Sequence, residues 1–529
     1  MSITGKNYIG YSQSAENAKT FQSYVPVKHT HLPETFHPAT AEEVEKTMQL
    51  AERAFDEYAA IPASQRADFL MAITEEMMAM GDELLERAHQ ETGLPMGRLQ
   101  GERGRTINQL TQFANLIREG SWVEARVDTA QPDRTPAPKP DLRKMLVPIG
   151  PIVIFGSSNF PFAYSIAGVD TAPALAAGNP VILKAHPAHP GVSDLTAQAI
   201  VKAAQRTGMP NGVFSMLYDD GYEVGTALVQ HPYTKAVGFT GSFKGGMALY
   251  KMAQERDEPI PVFAEMGSVN PVVILPDTLA AHTESLAKTL AGSVTLGAGQ
   301  FCTNPGLVFT LDSPALDEFE KIYAREVGKI TSMTMLTEGI RKNFFKLRDK
   351  ALAEAGVETL VLSDEKAEGE NQSQASIARV SGKDFIKNPN LHEEVFGPFS
   401  LLVVCEDSIE LQAALKHIPG QLTTSLMADA AEAAGHPQIL RLLSRRAGRF
   451  IMNGVPTGVE VCAAMHHGGP FPSTTDSRFT SVGRDAILRF VRPLSFQDWP
   501  DSLLPDELKD SNPLGIWRLV NNELTQDAI

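Results

Sequence analysis

Apolar residues recur at three-to-four spacing through residues 40 to 120, a pattern that predicts helices. Val44, Met48, Ala51, Phe55 and Tyr58 share one face of the first helix, and Thr40 with Glu43 three positions later forms a capping-box signature ahead of it. The segment QPDRTPAPKP, residues 131 to 140, is breaker-rich and predicts a connector. From Met145 the texture changes to short apolar runs, LVPIGPIVIF, NPVILK, GVFSMLY and KAVGFTG, read as strands. They alternate with the helical stretches SDLTAQAIVKAAQRTG and YEVGTALVQH. Repeated β-α-β at this spacing implies a parallel sheet with helices on both faces, whose ligand lies at the carboxyl ends of the strands. A second α/β pattern, with NPVVIL, GLVFTL, VETLVLS and FSLLVVCE, starts near Phe263. The polar stretch EKAEGENQSQAS, 365 to 376, predicts an exposed loop.

With 529 residues the chain exceeds what one hydrophobic core supports, so two or three domains are expected. Hydrophobic residues at 43% and charged residues at 21% are ordinary for a soluble globular protein. The formal net charge of −16 argues against nucleic-acid and anionic-membrane partners, which reward a basic surface. An anionic substrate therefore requires a local cationic pocket. Cys302, Cys405 and Cys462 are too few for a disulfide framework and form no CxxC pair, so a reducing compartment and no metal are expected. The N-terminus MSITGKNYIG lacks the profile of a secretory leader, and no run approaches a membrane span. The expectation is a cytoplasmic protein.

Four segments carry candidate chemistry: IFGSSNFPF with Asn159, FAEMGSVNP with Glu265, GAGQFCTNPG with Cys302, and EEVFGPF with Glu394 and Phe396. Each alone has a bland reading. A lone cysteine is more often a small buried hydrophobe, Glu265 could cap a helix or pair with a base, and Asn159 would suit a turn. Their conjunction in this order is what disfavours those readings.

Together these segments resemble the aldehyde dehydrogenase superfamily, over about residues 35 to 490. The family asparagine of N-F-P falls on Asn159, the glutamate of E-L-G-G-x-x-P on Glu265, the nucleophile of G-Q-x-C on Cys302, and E-E-x-F-G-P on Glu393 to Pro398. The resemblance implies an α/β protein with a Rossmann-type cofactor domain, an α/β catalytic domain and a small oligomerisation element. It places the cofactor domain at 1–124 and 146–262, and the catalytic domain at 263–465. The oligomerisation element and C-terminal extension fall at 125–145 and 466–529, in a homodimer or homotetramer. It also implies oxidation of an aldehyde through a thioester on Cys302. A free thiol with a pKa of about 8.5 is only slightly ionised at neutral pH, so such a site must stabilise the anion. The Asn159 amide and the Cys302 N–H are the expected oxyanion donors, worth roughly 3 kcal/mol each, and Glu265 the base for hydrolysis.

The same resemblance puts Lys184 against the adenosine ribose, Gly241 and Ser242 at a helix start suited to a pyrophosphate, and Gly246 at a close packing contact. It puts Glu394 on the nicotinamide ribose and Phe396 beside the ring. NAD-preferring relatives carry a glutamate three residues after the lysine; here the run is Lys184-Ala185-His186-Pro187. The missing carboxylate removes a repulsion, so NADP is expected, with NAD also possible.

The family's P-F-G-G-x-K-x-S-G stretch is replaced by PFPSTTDSRFTSVG from Pro470. The C-terminal third and TGLPMGRLQGERGRTINQL resemble the α-ketoglutaric semialdehyde dehydrogenase subgroup. That implies an aldehyde bearing a carboxylate, with Arg105 able to grip it through two hydrogen bonds and Phe160 at the substrate site. Arg98 and Arg103 are expected to be solvated or paired with Glu102, and His466 and His467 to be structural. The alternatives are a broad-specificity or fatty-aldehyde enzyme using NADP, and, from another class, an inactive binding or structural protein on this fold.

Overall fold

The computed structural model describes residues 2–363 and 371–529. The capping box forms: the Glu43 N–H donates to Thr40 Oγ1 (3.2 Å) and the Thr40 N–H to Glu43 Oε2 (2.8 Å). It starts the helix Ala41–Ala60, which buries Val44, Met48, Ala51 and Tyr58, with Phe55 at the margin. Helices Ala63–Ala79, Asp82–Thr92 and Met96–Glu119 complete the predicted helical region.

Five parallel strands follow. In space they run Val262–Glu265, Ala236–Thr240, Ile152–Phe155, Val181–Lys184, Phe214–Leu217. The chain thus starts in the middle, winds one way, and returns to wind the other, the doubly wound order whose switch point lies between Ile152–Phe155 and Ala236–Thr240. The period-two pattern sorts the faces. Ile152, Ile154, Val181 and Leu183 pack into one helical layer, and Val153, Ile182, Leu217 and Val237 into the opposite one. The short strands Asn7–Ile9 and Ser12–Ser14 extend the far edge antiparallel.

The second sheet has the order Glu358–Leu362, Ser376–Ser381, Phe399–Cys405, Leu307–Leu311, Val272–Ile274, Gln421–Met427, Ala447–Met452. It is parallel except at its first strand. Val273, Phe309 and Leu401 face one core, and Val272, Val308 and Leu402 the other.

The run LVPIGPIVIF is two strands rather than one. Leu142–Pro148 pairs antiparallel with Val491–Gln497 in a third sheet, and Ile152–Phe155 lies in the first. The break falls where Pro148 and Pro151 withhold ladder donors and Gly150 turns at φ 120°. That third sheet also contains Arg126–Asp128, Arg518–Val520 and Glu523–Thr525. Residues 131 to 138 of the predicted connector are exposed. Half of the polar loop expected at 365 to 376, residues 365–370, lies outside the described residues. At its end, however, Asn371 and Ser373 are buried, bonded to the carbonyls of Met335 and Met333. The Met333 carbonyl also accepts the Ser373 N–H (2.8 Å), and the Met335 N–H donates to the Asn371 carbonyl (2.8 Å), so this end is pinned on both strands of the contact. Among the described residues no helix is long and apolar enough to cross a membrane.

Candidate active site

Glu265 ends the strand Val262–Glu265, at the carboxyl edge of the first sheet. The segment after Pro472 crosses that edge: the Met266 N–H donates to the Ser473 carbonyl (2.7 Å), and Thr474 bridges Glu265. Cys302 follows a tight turn in which Gly297, Ala298 and Gly299 have φ of 55°, 57° and 64°. At Gly299 a Cβ would lie 2.2 Å from the Gly397 carbonyl oxygen, so only glycine lets the two loops meet. Asn270, itself at φ 45°, clamps the cysteine loop by donating to the carbonyls of Cys302 (2.8 Å) and Asn304 (3.0 Å). Gln421 holds Asn270 in turn, its side-chain oxygen accepting from the Val269 and Asn270 N–H groups (2.7 and 3.1 Å). Sequence reading missed both residues, because nothing local marks an asparagine that acts across 32 positions.

His467 stands between the cysteine and the glutamate. Its Nε2 lies 3.6 Å from Cys302 Sγ and 3.2 Å from Glu265 Oε1. Ligand-capable atoms of the three residues all lie within 4.8 Å of one another. Ser481 Oγ donates to Glu265 Oε2 (2.8 Å) and the His467 N–H donates to Thr480 Oγ1 (2.8 Å). The chain threads so closely here that a Cβ on Gly469 would sit 2.1 Å from the Gln421 carbonyl oxygen. Burial pushes the Cys302 thiol well above its ordinary range, Glu265 adds to this, and Arg105 opposes it. Burial would likewise raise Glu265, but attraction to His467 in its protonated form, the hydrogen bond that form donates, and the one from Ser481 outweigh it and hold the carboxyl below its usual range.

Asn159 and Phe160 follow the strand Ile152–Phe155. Asn159 is buried, and its Nδ2 donates one hydrogen to the Gln300 carbonyl (3.1 Å), leaving the second amide hydrogen free for another acceptor. The Cys302 backbone N–H has no partner among the described residues. Arg98 differs from expectation. It is neither solvated nor bonded to Glu102. Its guanidinium stacks between the rings of Phe160 (5.1 Å) and Phe301 (4.7 Å) and donates to the Asn159 carbonyl (2.7 Å). Two aromatic faces and a carbonyl outcompete water for this weakly hydrated group. Glu102 accepts instead from the Phe162 and Ala163 N–H groups (2.8 and 3.0 Å). Arg105 donates to the Tyr164 hydroxyl (3.1 Å) and lies over its ring (5.2 Å), while its Nε is buried without a partner. Tyr164 packs against Phe160 (5.2 Å) and against the edge of His467 (6.3 Å). Arg103 reaches only the Gly81 carbonyl on the outer face.

Around the switch point, Ser242 caps the helix Phe243–Gln254, its Oγ accepting from the Gly245 N–H (3.2 Å). The Phe243 and Lys244 N–H groups are left at the helix end without intrahelical partners, a setting that suits an anion. Gly241 is exposed beside it. A Cβ on Gly246 would meet Met266 at 2.7 Å, so this glycine is required for helix–strand packing. Lys184 ends its strand; burial lowers its ammonium, opposed by Asp219 and Asp220. Both acids already have partners: Asp219 caps the Val224 N–H (3.2 Å), and Asp220 pairs with Lys19 (2.8 Å). The His186 ring stacks on His189 (5.5 Å) and is kept neutral chiefly by burial. Glu394 faces Gly267, where a Cβ would lie 2.3 Å from its Oε2. Burial pushes its carboxyl up to about 7, against a hydrogen bond from the Ser268 N–H (3.4 Å). Phe396 lies beside it, half-buried. Lys184, the helix end at Ser242, and Glu394 offer a cation, an anion cradle and a hydroxyl acceptor along one edge, a donor set that fits a pyridine dinucleotide.

A doubly wound sheet with an open helix end meets the second sheet at a site that holds Cys302, Glu265 and Asn159. Residues 12–490 match the aldehyde dehydrogenase family, and the chain belongs to that family: it is an oxidoreductase that takes aldehydes to acids with NAD(P). It is similar to α-ketoglutaric semialdehyde dehydrogenase 2 of Azospirillum brasilense, 49% identical over 98% of this chain and 99% of the relative. It is also similar to α-ketoglutaric semialdehyde dehydrogenase of Acinetobacter baylyi, 45% identical over 99% of each. In fold it matches a variant betaine aldehyde dehydrogenase from Staphylococcus aureus in complex with NAD+, at TM-score 0.80 and 19% identity. That match covers 96% of this chain and 99% of the other.

Proposed function

We propose that the protein oxidises α-ketoglutaric semialdehyde to 2-oxoglutarate with NADP or NAD, through a thioester on Cys302. The observation that carries the reading is the set of groups gathered around Cys302: Glu265 and His467 with ligand atoms within 4.8 Å of one another and of Sγ, and the Arg105–Tyr164 pair, whose Arg105 is electrostatically coupled to the thiol. The two relatives of near-full coverage, each named for this semialdehyde, support the substrate.

The Cys302 thiolate adds to the aldehyde carbon, and the oxyanion that forms faces the Cys302 N–H and the second amide hydrogen of Asn159. A bound nicotinamide supplies the hydride acceptor. Lys184 and the helix end at Ser242 hold the adenosine side of the cofactor, while Glu394 and Phe396 hold its nicotinamide side. The thioester on sulfur is then hydrolysed by water whose proton Glu265 accepts. Arg105, with a buried Nε still unpartnered, grips the substrate's distal carboxylate, which offsets the repulsion of a chain with net charge −16. Phe160 walls the same pocket. NADP is favoured because no carboxylate follows Lys184 and the nearby Asp219 and Asp220 are already engaged.

The test is kcat/KM for 2,5-dioxopentanoate, succinic semialdehyde, glutaraldehyde and a long-chain aldehyde, each with both cofactors. The expected order puts 2,5-dioxopentanoate first, with NADP accepted. A long-chain preference would overturn the substrate. NAD bound about a hundredfold tighter, about 2.7 kcal/mol, would overturn the cofactor reading.

A further inference from the structure

We propose that His467 is a catalytic residue. Its Nε2 removes the thiol proton of Cys302 as the sulfur attacks, and Glu265 holds the imidazolium that results. The proposal deepens the thioester reading above and rests on it.

The geometry puts one ring nitrogen against both partners. Nε2 is 3.6 Å from Cys302 Sγ and 3.2 Å from Glu265 Oε1. The ring is buried and cannot turn to water. Its backbone is pinned by the Thr480 hydroxyl (2.8 Å), and Ser481 Oγ ties the His467 carbonyl (3.0 Å) to Glu265 Oε2 (2.8 Å). The other nitrogen, Nδ1, is buried with no partner among the described residues, so proton traffic on the imidazole runs through Nε2. Three residues from three distant parts of the chain are locked into one hydrogen-bonded group around the nucleophile.

The chemistry calls for such a group. Burial and Glu265 both oppose ionisation of the thiol, so the sulfur is not a nucleophile on its own near neutral pH. In the proposed step the neutral ring carries its proton on Nδ1 and presents a bare Nε2 to the thiol; the S–H bond breaks, an N–H bond forms at Nε2, and the electron pair stays on sulfur. Charge is conserved within the pocket. A thiol, a neutral imidazole and a carboxylate become a thiolate, an imidazolium and a carboxylate. The new N–H faces both anions, so Glu265 stabilises the imidazolium after the transfer. Forming the thioester releases one proton, the thiol's, and it must leave His467 before Glu265 can act as a base on water. The charged and titratable groups around the ring are Cys302, Glu265, His466, and Tyr164 with its Arg105. Asp476 and the Arg489 that pairs with Asp170 line the same cavity. At longer range Arg449 is coupled to Cys302 favourably, and Glu394 opposes its ionisation.

The test needs neither aldehyde nor cofactor. Alkylation of Cys302 by iodoacetamide is followed against pH by peptide mass spectrometry, in wild type, His467→Asn and Glu265→Gln, with thermal melting and cofactor binding on the same samples to verify folding. Wild-type Cys302 should already be readily alkylated at neutral pH, below the range in which a free thiol ionises. His467→Asn should lose roughly tenfold or more at neutral pH and recover only at alkaline pH, with kcat following the same shift and the cofactor KM unchanged. Glu265→Gln should also lose reactivity, by a smaller factor than His467→Asn, because the imidazolium keeps a neutral acceptor in place of its counter-ion. A wild-type midpoint in the alkaline thiol range overturns the proposal without any variant, as does an unchanged profile in His467→Asn. A wrong substrate assignment leaves these curves untouched. Turnover that survives full alkylation of Cys302 sinks the thioester reading instead.

Discussion

Replacing Arg98 by methionine keeps the volume and the apolar stem and removes only the guanidinium. Three contributions decide the outcome. The hydrogen bond to the Asn159 carbonyl, with a charged donor at 2.7 Å, is worth about 1.5–3 kcal/mol, and each ring contact about 0.5–2 kcal/mol. Against them stands the cost of burying a guanidinium whose Nη1 has no partner, about 1–3 kcal/mol. The favourable side sums to about 2.5–7 kcal/mol and exceeds the cost, so global stability should fall by about 2–3 kcal/mol. The folded enzyme should lose catalysis as well, because Asn159 loses the group that fixes its backbone. Complete loss of an oxyanion donor costs about 100- to 1000-fold in kcat, and a displaced donor a part of that, so a fall of roughly 10- to 100-fold is expected. Steady-state kinetics beside a denaturant titration separate the two. A kcat within about twofold of wild type would refute the reasoning, as would a collapse in stability with normal kcat in the folded fraction.

Glu394 carries a pH signature. Its carboxyl keeps its proton up to about 7, whereas an unfolded glutamate releases it near 4.5. The folded state thus binds more protons in that window, and its stability falls as pH rises across it. Glu394→Gln should flatten that decline. It should also abolish a drop in cofactor KM that wild type shows as the carboxylate forms above about pH 7. Identical stability and KM profiles in both proteins would remove Glu394 from cofactor binding. Cys405 is buried in a parallel strand, with its thiol pushed up to about 12 chiefly by burial. Cys405→Ala should cost about 1 kcal/mol in a denaturant titration with kcat unchanged. Cys462 is exposed, and its alanine variant should match wild type in both assays.

The two parallel sheets were legible because each strand is a short apolar run bounded by glycine, proline or asparagine, with helical periodicity between. Asn159, Glu265, Cys302 and Glu394 were legible from their neighbours, and the structure does bring the first three together. What stayed hidden depends on distance along the chain. Leu142–Pro148 pairs with a strand some 350 residues away, so its apolar run read as a continuation of Ile152–Phe155. His467 sits in a glycine-flanked HHGG whose fold-back onto Cys302 and Glu265 spans 165 and 202 positions. Arg98 looked like an exposed helix charge until Phe160 and Phe301 closed on both of its faces.

The central claim is a thioester on Cys302 that Glu265 helps to hydrolyse. Glu265→Gln keeps the volume and the contact to His467 but cannot take a proton from water. Mixed with aldehyde and oxidised cofactor, then quenched, it should release about one equivalent of reduced cofactor per site in a rapid burst. Peptide mass spectrometry should find the acyl group on Cys302, and Cys302→Ala should give neither burst nor acyl peptide. An acyl group on another residue, or wild-type turnover in Cys302→Ala, would contradict the account.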